Sequence, residues 1–386
     1  MSGAQDRGFA VAGWCPGALR PMLSGDGLVV RLRPFGGRLT HGQAAGIAAA
    51  AQAHGNGLID LSARGNMQLR GVSVASHPGL IGDLRGLGLV DDDAQAEARR
   101  KLLGPPFADA ATDALAADLA GELRDGPDLP GKFGFVLDAG PAPVLQDIAA
   151  DIRLERDARG GLILRCDGAA LGAPVSADAA PAAAVALAQW FIKAGGVSDG
   201  RGRMAALIGR GVVPAGALAG RVAPARALAR PVPGLVAQGA LIGFAFGQMQ
   251  AATLAAFAEL GDMRLTPWRM LLLEGAQSLS DLPDLPDLIL NPDDPLRRVL
   301  ACTGAPGCLQ AQAPVRALAR ALAAQVPHGR LLHVSGCAKG CAHPGVADVT
   351  LVATPQGFDL IRGGTPRDAP VSSGLSGNGF DLGEAF

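Results

Sequence analysis

The 386-residue chain has no tyrosine, only six cysteines and six histidines, and a net charge of −1 at pH 7. Near-neutrality excludes a general role on nucleic acid or on an anionic membrane surface, because both need a basic excess. Long apolar runs are missing too. The stretches AAGIAAAAQA and AAAVALAQWF are too short to span a bilayer. No basic, apolar and small-residue succession opens the chain, so a secretory leader and structural disulfides are not expected. The expectation is a soluble, cytoplasmic protein of two or three domains, without nucleic-acid or membrane partners, whose thiols stay reduced.

The cysteines that are present are concentrated. Cys302 and Cys308 lie in CTGAPGC, and Cys337 and Cys341 lie in SGCAKGC, which gives Cys-x5-Cys followed by Cys-x3-Cys. Four converging thiolates are what a [4Fe-4S] cluster needs, one for each iron. Glycine beside the thiols lets the backbone close around a bulky inorganic cube. Zinc more usually takes Cys-x2-Cys pairs, and these wider gaps suit it poorly. Between the pairs, PVRALARALAAQV reads as a helix with Pro314 near its start, its positive end toward the thiols. Cys166 closes the apolar run GLILRC and reads as an inert core thiol, and Cys15 as packing in a turn-rich segment.

DGLVVRLRP predicts a strand with Val30 and Leu32 on one face and Arg31 and Arg33 on the other. Thr40 reads as the N-cap of a helix reaching His54 and stopped by Gly55. Strands follow at NGLIDLSA and at Met67–Val72, then a short helix near 77–88. Residues 94–125 read as helical, 144–176 as strands, and PAAAVALAQWFIKAG as an amphipathic helix. DGRGRMAALIGRGVV matches no phosphate motif and reads as a surface turn. A Pro- and Ala-rich linker spans 214–234.

After the linker the order strand, Phe-Gly turn, Ala-rich helix, strand recurs, with Arg269 in the place of Arg64. RRKLLGPPF and LPGKFGFVLD likewise rhyme with ACTGAPGCL and HVSGCAKGCAHP. The chain therefore reads as a duplication, A-B-A′-B′, over 1–90, 91–230, 231–290 and 291–386. Its class is α+β. Residues 371–386 read as a flexible tail.

Arg31, Arg33, Arg64 and Arg70 crowd the first segment, with Gln68 beside Arg70 on one strand face; Arg100 and Lys132 lie in the second. Guanidinium groups pair carboxylates bidentately and stay charged, so a basic concavity here suits a ligand with several carboxylates. His333 and His343 flank the second cysteine pair and read as core or loop histidines.

Over nearly its whole length the chain resembles the nitrite and sulfite reductase superfamily. The residues that carry the likeness are the cysteine spacing together with SGDGLVVRLRPFGG, GNGLIDLSARGNMQLRG and SGCAKGCAHPGVADVTLV. The resemblance implies a pseudo-twofold pair of ferredoxin-like half-domains and two α/β domains, with the cluster in the last. It puts Arg31, Arg64, Arg100 and Lys132 on the family's basic catalytic positions. Arg33, Gln68 and Arg70 join them as substrate contacts. There are departures. Gly134 stands where the reductases have a second lysine, Arg70 where they often have histidine, and Lys101 follows Arg100 in place of asparagine. The missing lysine argues against six-electron reduction of a small anion, which needs dense positive charge and proton donors.

The likeness is greatest to members that act on a tetrapyrrole. It implies hydroxylation of precorrin-3A at C20 with lactone closure, in aerobic cobalamin biosynthesis. Dioxygen and electrons from a reduced nicotinamide cofactor would be used, through a partner reductase. An additional iron or a bound sirohaem stays open, and so does the alternative of a sirohaem-dependent sulfite or nitrite reductase. An electron-transfer protein that has kept only the cluster is the third reading.

Overall fold

The computed structural model describes residues 16–141, 143–377, 380–383 and 385–386, so Cys15 lies outside the described residues. Local chemistry sets the first elements as the sequence suggests. Thr40 accepts from the Gln43 amide while the Gln43 side chain accepts from the Thr40 amide, and this reciprocal cap starts the helix His41–His54. Alternation along the strand Gly27–Leu32 buries Val30 and Leu32 and leaves Arg31 half-buried on the opposite face.

The first half-sheet runs, in spatial order, Met22–Ser24, Gly27–Leu32, Met67–Val72, Leu58–Leu61 and Gln248–Gln250. The second runs Gly234–Val236, Gly239–Phe244, Met270–Glu274, Met263–Leu265 and Arg38–Leu39. Each half thus lends one edge strand to the other. Val30, Leu32, Ile59 and Met67 of the first sheet share one core with Ile242, Leu271 and Leu273 of the second. The helices His41–His54 and Ala251–Ala258 fill it through Ile47, Leu254 and Phe257.

The two α/β units share one topology. In the first, Leu102–Leu103, Phe135–Asp138 and Ile152–Arg156 are parallel, and Leu162–Cys166 and Ala173–Pro174 then add antiparallel. The second repeats the order with Val299–Ala301, Leu332–Ser335 and Ala347–Thr354 parallel, then Gly357–Gly364 and Ser372–Leu375 antiparallel.

Three expectations are corrected. The helix expected over 94–125 is two helices, Ala94–Arg99 and Ala110–Arg124, because Gly104-Pro105-Pro106 intervenes and proline offers no N–H to continue the ladder. The surface turn at 199–213 encloses a short helix, Met204–Gly209, whose Met204 amide donates to Asp151. The tail expected to be flexible is tied to the last unit at two places among its described residues, although much of it is exposed. Ser372–Leu375 extends the last sheet, and the buried Leu382 donates its amide to Gln325 Oε1. Cys166 is a core thiol as expected, its pKa pushed up to about 12 by burial. Among the described residues no helix is long and apolar enough to cross a membrane.

Candidate active site

Both cysteine loops leave the carboxyl ends of neighbouring parallel strands, Val299–Ala301 and Leu332–Ser335. Parallel neighbours end at the same sheet edge, so the pairs meet although 28 residues separate Cys308 from Cys337. The Gly336 amide donates to Cys302 Sγ at 3.2 Å, which joins one loop to the other. Burial first, then the Cys302 and Cys308 sulfurs, push the Cys337 thiol up. Burial also pushes Cys341 up, with the three other sulfurs adding to it. Four thiols in one another's field hold their protons more tightly than isolated ones, and a cation among them would reverse that.

Space around the thiols fits as well. A Cβ on Gly336 would lie 2.7 Å from Ala311 Cβ and 3.4 Å from Cys302 Sγ, so only glycine fits there. Gly304, with φ 70°, turns the first loop back on itself. Among the described residues no three metal-binding side chains close on a single ion. A cubane takes one thiolate per iron and holds its ligands farther apart than one ion does. The helix expected between the pairs is short, Arg316–Leu322, and begins beside the first loop, where Arg316 Nε donates to the Cys302 carbonyl at 3.2 Å.

The expected basic residues divide into two groups. Arg31, Arg33 and Arg64 line one cleft together with Asn66, Lys101 and Gly134, and among the described residues no carboxylate lines it. Arg33 is steadied by Glu97 at 3.7 Å, and Arg64 donates to the Ala149 carbonyl at 3.3 Å. Gly134 faces this cleft. A Cβ there would make ordinary contacts, 3.4 Å from the Lys101 carbonyl and 4.0 Å from Arg64 Nη2, so a glycine is not required for space at that position.

Arg100 is elsewhere. It is buried and forks onto Asp91 with both contacts at 2.9 Å, with its guanidinium over the Phe35 ring. Lys101, the next residue, takes the place in the cleft that the sequence assigns to Arg100. The helix ends at Arg99, and Arg100 caps it before the chain turns into the strand Leu102–Leu103. Lys132 is exposed and is not among the lining residues, although Gly131 is.

Arg70 is a tie inside the protein and does not open on the cleft. Asp26 grips it through contacts of 3.0 and 2.7 Å, and its Nη2 donates to the Gly307 carbonyl at 2.7 Å. That carbonyl, next to Cys308, also accepts from Ser24 Oγ at 2.6 Å and from the Gly25 amide at 3.2 Å. The first half-sheet therefore holds the first cysteine loop in place. Gln68 lies between Arg31 and Asp60 in strand register on the same sheet face. Asp60 in turn accepts from Gln248 Nε2 at 2.8 Å and meets Arg316 Nη2 at 3.4 Å.

The sequence missed Lys101, Asp60, Arg316 and the full character of Arg269. Strand pairing aligns Leu61 and Met67 with Leu265 and Leu271, so Arg64 matches Trp268 and Arg269 matches Gly65. The rhyme of Arg64 with Arg269 is off by one residue. Gly65 and Arg269 hold φ 61° and 60°, a left-handed conformation that costs an arginine but not a glycine. Arg269 Nη2 donates to the Ala342 carbonyl at 3.0 Å, beside Cys341.

Among the described residues neither ring nitrogen of the fully buried His333 has a hydrogen-bond partner, and its pKa is pushed down to about 4 by burial, then by His343 and Arg269. His343 packs edge-on to it, with ring centroids 5.8 Å apart.

Known proteins converge on this architecture. Residues 20–87 match the family described as nitrite/sulfite reductase ferredoxin-like half domain. The NirA protein of Mycobacterium tuberculosis superposes with a TM-score of 0.63 over 88% of this chain and 74% of that one, at 18% identity, a likeness of fold. A ferredoxin–nitrite reductase of Leptolyngbya laminosa is 25% identical over 91% of this chain and 82% of its own length. A precorrin-3B synthase of Sinorhizobium sp is 31% identical over 93% of this chain and 84% of its own. An oxidoreductase by this relationship, the chain belongs to the precorrin-3B synthase family within the nitrite and sulfite reductase superfamily.

Proposed function

We propose that the protein converts precorrin-3A to precorrin-3B, hydroxylating C20 and allowing a neighbouring acetate to close as a lactone. The observation that carries the substrate class is the cleft lined by Arg31, Arg33, Arg64 and Lys101, with no carboxylate lining it among the described residues. Such a surface suits a macrocycle rimmed by acetates and propionates, because guanidinium forks stay charged and pair carboxylates with defined geometry. Arg31 and Arg64 bind the carboxylates, Arg33 and Lys101 extend the rim, and Gln68 donates from the same sheet face as Arg31. Gly134 fits this reading, because it leaves that wall of the cleft without the second lysine that reduction of a small anion would use.

Cys302, Cys308, Cys337 and Cys341 would hold a [4Fe-4S] cluster, which supplies single electrons that no side chain here supplies. In the overall reaction one atom of dioxygen enters the product and the other leaves as water. Two electrons from a reduced nicotinamide cofactor arrive through a partner reductase in the cytoplasm. The 25% identity to a ferredoxin–nitrite reductase supports a second reading, a sirohaem-dependent reductase.

Mass spectrometry of the product formed from precorrin-3A under ¹⁸O₂, with anaerobically purified protein and a reductase, tests the first reading. One labelled oxygen in a lactonised product is expected. Sirohaem bound in the purified protein, with precorrin-3A returned unchanged, would decide for the second.

A further inference from the structure

Three arginines hold the backbone beside the candidate ligand cysteines, and each comes from a different part of the chain. Arg316 of the cysteine-bearing unit donates to the Cys302 carbonyl at 3.2 Å. Arg70 of the first half-sheet donates to the Gly307 carbonyl at 2.7 Å, and Arg269 of the second to the Ala342 carbonyl at 3.0 Å. Their charge balance differs. Asp26 forks onto Arg70, and Asp60 reaches Arg316 at 3.4 Å. Among the described residues no carboxylate makes an ion pair with Arg269. Its surroundings register this: burial first, then Arg316, hold its pKa below the usual arginine value, while Asp60 and the Cys302 sulfur act the other way. The chain also keeps Arg269 in a left-handed conformation that its counterpart meets with Gly65. A strained guanidinium beside the four cysteines, with no ion-paired carboxylate among the described residues, is a feature that packing alone does not call for.

We propose that Arg269 raises the reduction potential of the cluster held by the four cysteines, and that Arg70 and Arg316, neutralised by aspartates, chiefly hold its loops. This deepens the functional reading above and needs the cluster that reading assigns. The reduced cluster with its thiolates carries one more negative charge than the oxidised one. A fixed cation in a partly desolvated site therefore favours reduction. The electron is the one delivered by the partner reductase, so the step adds no new reactant.

The test is a potentiometric titration of the full-length, anaerobically reconstituted protein, followed by the electron paramagnetic resonance of the reduced cluster. Iron and sulfide contents are matched between samples. In Arg269→Gln the ratio of reduced to oxidised cluster at the wild-type midpoint is expected to fall about tenfold, which is about 59 mV for a one-electron couple. Arg269→Lys should recover most of that loss, and Arg70→Met should stay near the wild-type midpoint. A wild-type midpoint in Arg269→Gln, or an equal shift in Arg70→Met, overturns the proposal. Should Arg269→Gln take up no cluster, Arg269→Gly, which restores the backbone of Gly65, carries the same expectation. Failure of both to hold a cluster that Arg269→Lys holds would assign Arg269 to the structure alone. A wild-type protein that takes up no [4Fe-4S] cluster defeats the functional reading itself, whereas an unmoved midpoint defeats only this inference.

Discussion

Beyond the carboxyl ends of Leu102–Leu103 and Phe135–Asp138 the chain places Phe107, Val144, Leu145 and Ile148; beyond those of Val299–Ala301 and Leu332–Ser335 it places four cysteines. The half-sheets differ in the same sense. Arg31, Gln68 and Asp60 stand in register across the first, and the equivalent row in the second is Leu241, Leu272 and Arg264. Leu241 and Leu272 are fully buried against Val136 and Leu145, so an apolar seal closes one unit. The polar row of the other sheet leads, through Asp60 and Arg316, to the cysteine loops. One backbone, copied, has been given two interiors. The difference teaches that the fold sets where strand ends meet, while the outward-facing sheet positions decide whether a ligand or a hydrophobic plug fills that place.

The sharpest way to break the contrast is to remove a thiol. Cys308→Ser should abolish the cluster's visible absorption in reconstituted protein and leave the second unit as empty of iron as the first. An unchanged spectrum would refute the ligand assignment. Next in size is the reverse exchange, Leu241→Arg, which buries a charge where the row has no acid to meet it. A loss of about 4 kcal/mol is expected from the urea midpoint, and a loss under about 1 kcal/mol would show that the seal is not tight.

A third prediction concerns pH. His333 stays neutral in the folded protein down to about pH 4, while the unfolded chain takes a proton near pH 6.5. The folded pKa is depressed, so stability is lost as pH falls through that window and levels off below it. The loss amounts to about 3 kcal/mol at 1.36 kcal/mol per unit. His333→Leu should flatten that part of the stability–pH curve in thermal denaturation; a parallel curve would mean the ring titrates normally. The smallest effect belongs to the cleft. Arg64→Ala should weaken precorrin-3A binding by about 2 kcal/mol, since it removes one partner of a desolvated carboxylate pair. An unaltered dissociation constant removes Arg64 from the site.

Much of this was legible in the sequence. Alternation at Val30 and Leu32, the Thr40 cap and the cysteine spacing are local signals, and each sets its own neighbourhood. The duplication was legible as a rhyme of elements. What escaped depends on distant partners. Nothing in ARRKLLGPP says that Arg100 turns inward to Asp91 while Lys101 faces the cleft, because that choice is made where the helix ends. In the sequence Arg70 reads as available for substrate, but Asp26 and the Gly307 carbonyl, 237 residues further on, hold it. The slip between Arg64 and Arg269 has a similar cause: a repeat read from sequence tolerates an offset of one, and a positive φ leaves no trace in an arginine. The tail is held by two hydrogen bonds with Gln325, by the packing of Leu382 and Ala385, and by an edge strand, none of which has a periodic signature.

Gln248–Gln250 completes the sheet of the first half, and Arg38–Leu39 completes that of the second. Neither copy can therefore be cut away without stripping a border strand from its twin and exposing unpaired backbone to solvent and to other chains. The two repeats are not separable parts. Any dissection of this enzyme into halves, for crystallography or for engineering, would have to carry the borrowed strand along or supply a replacement for it.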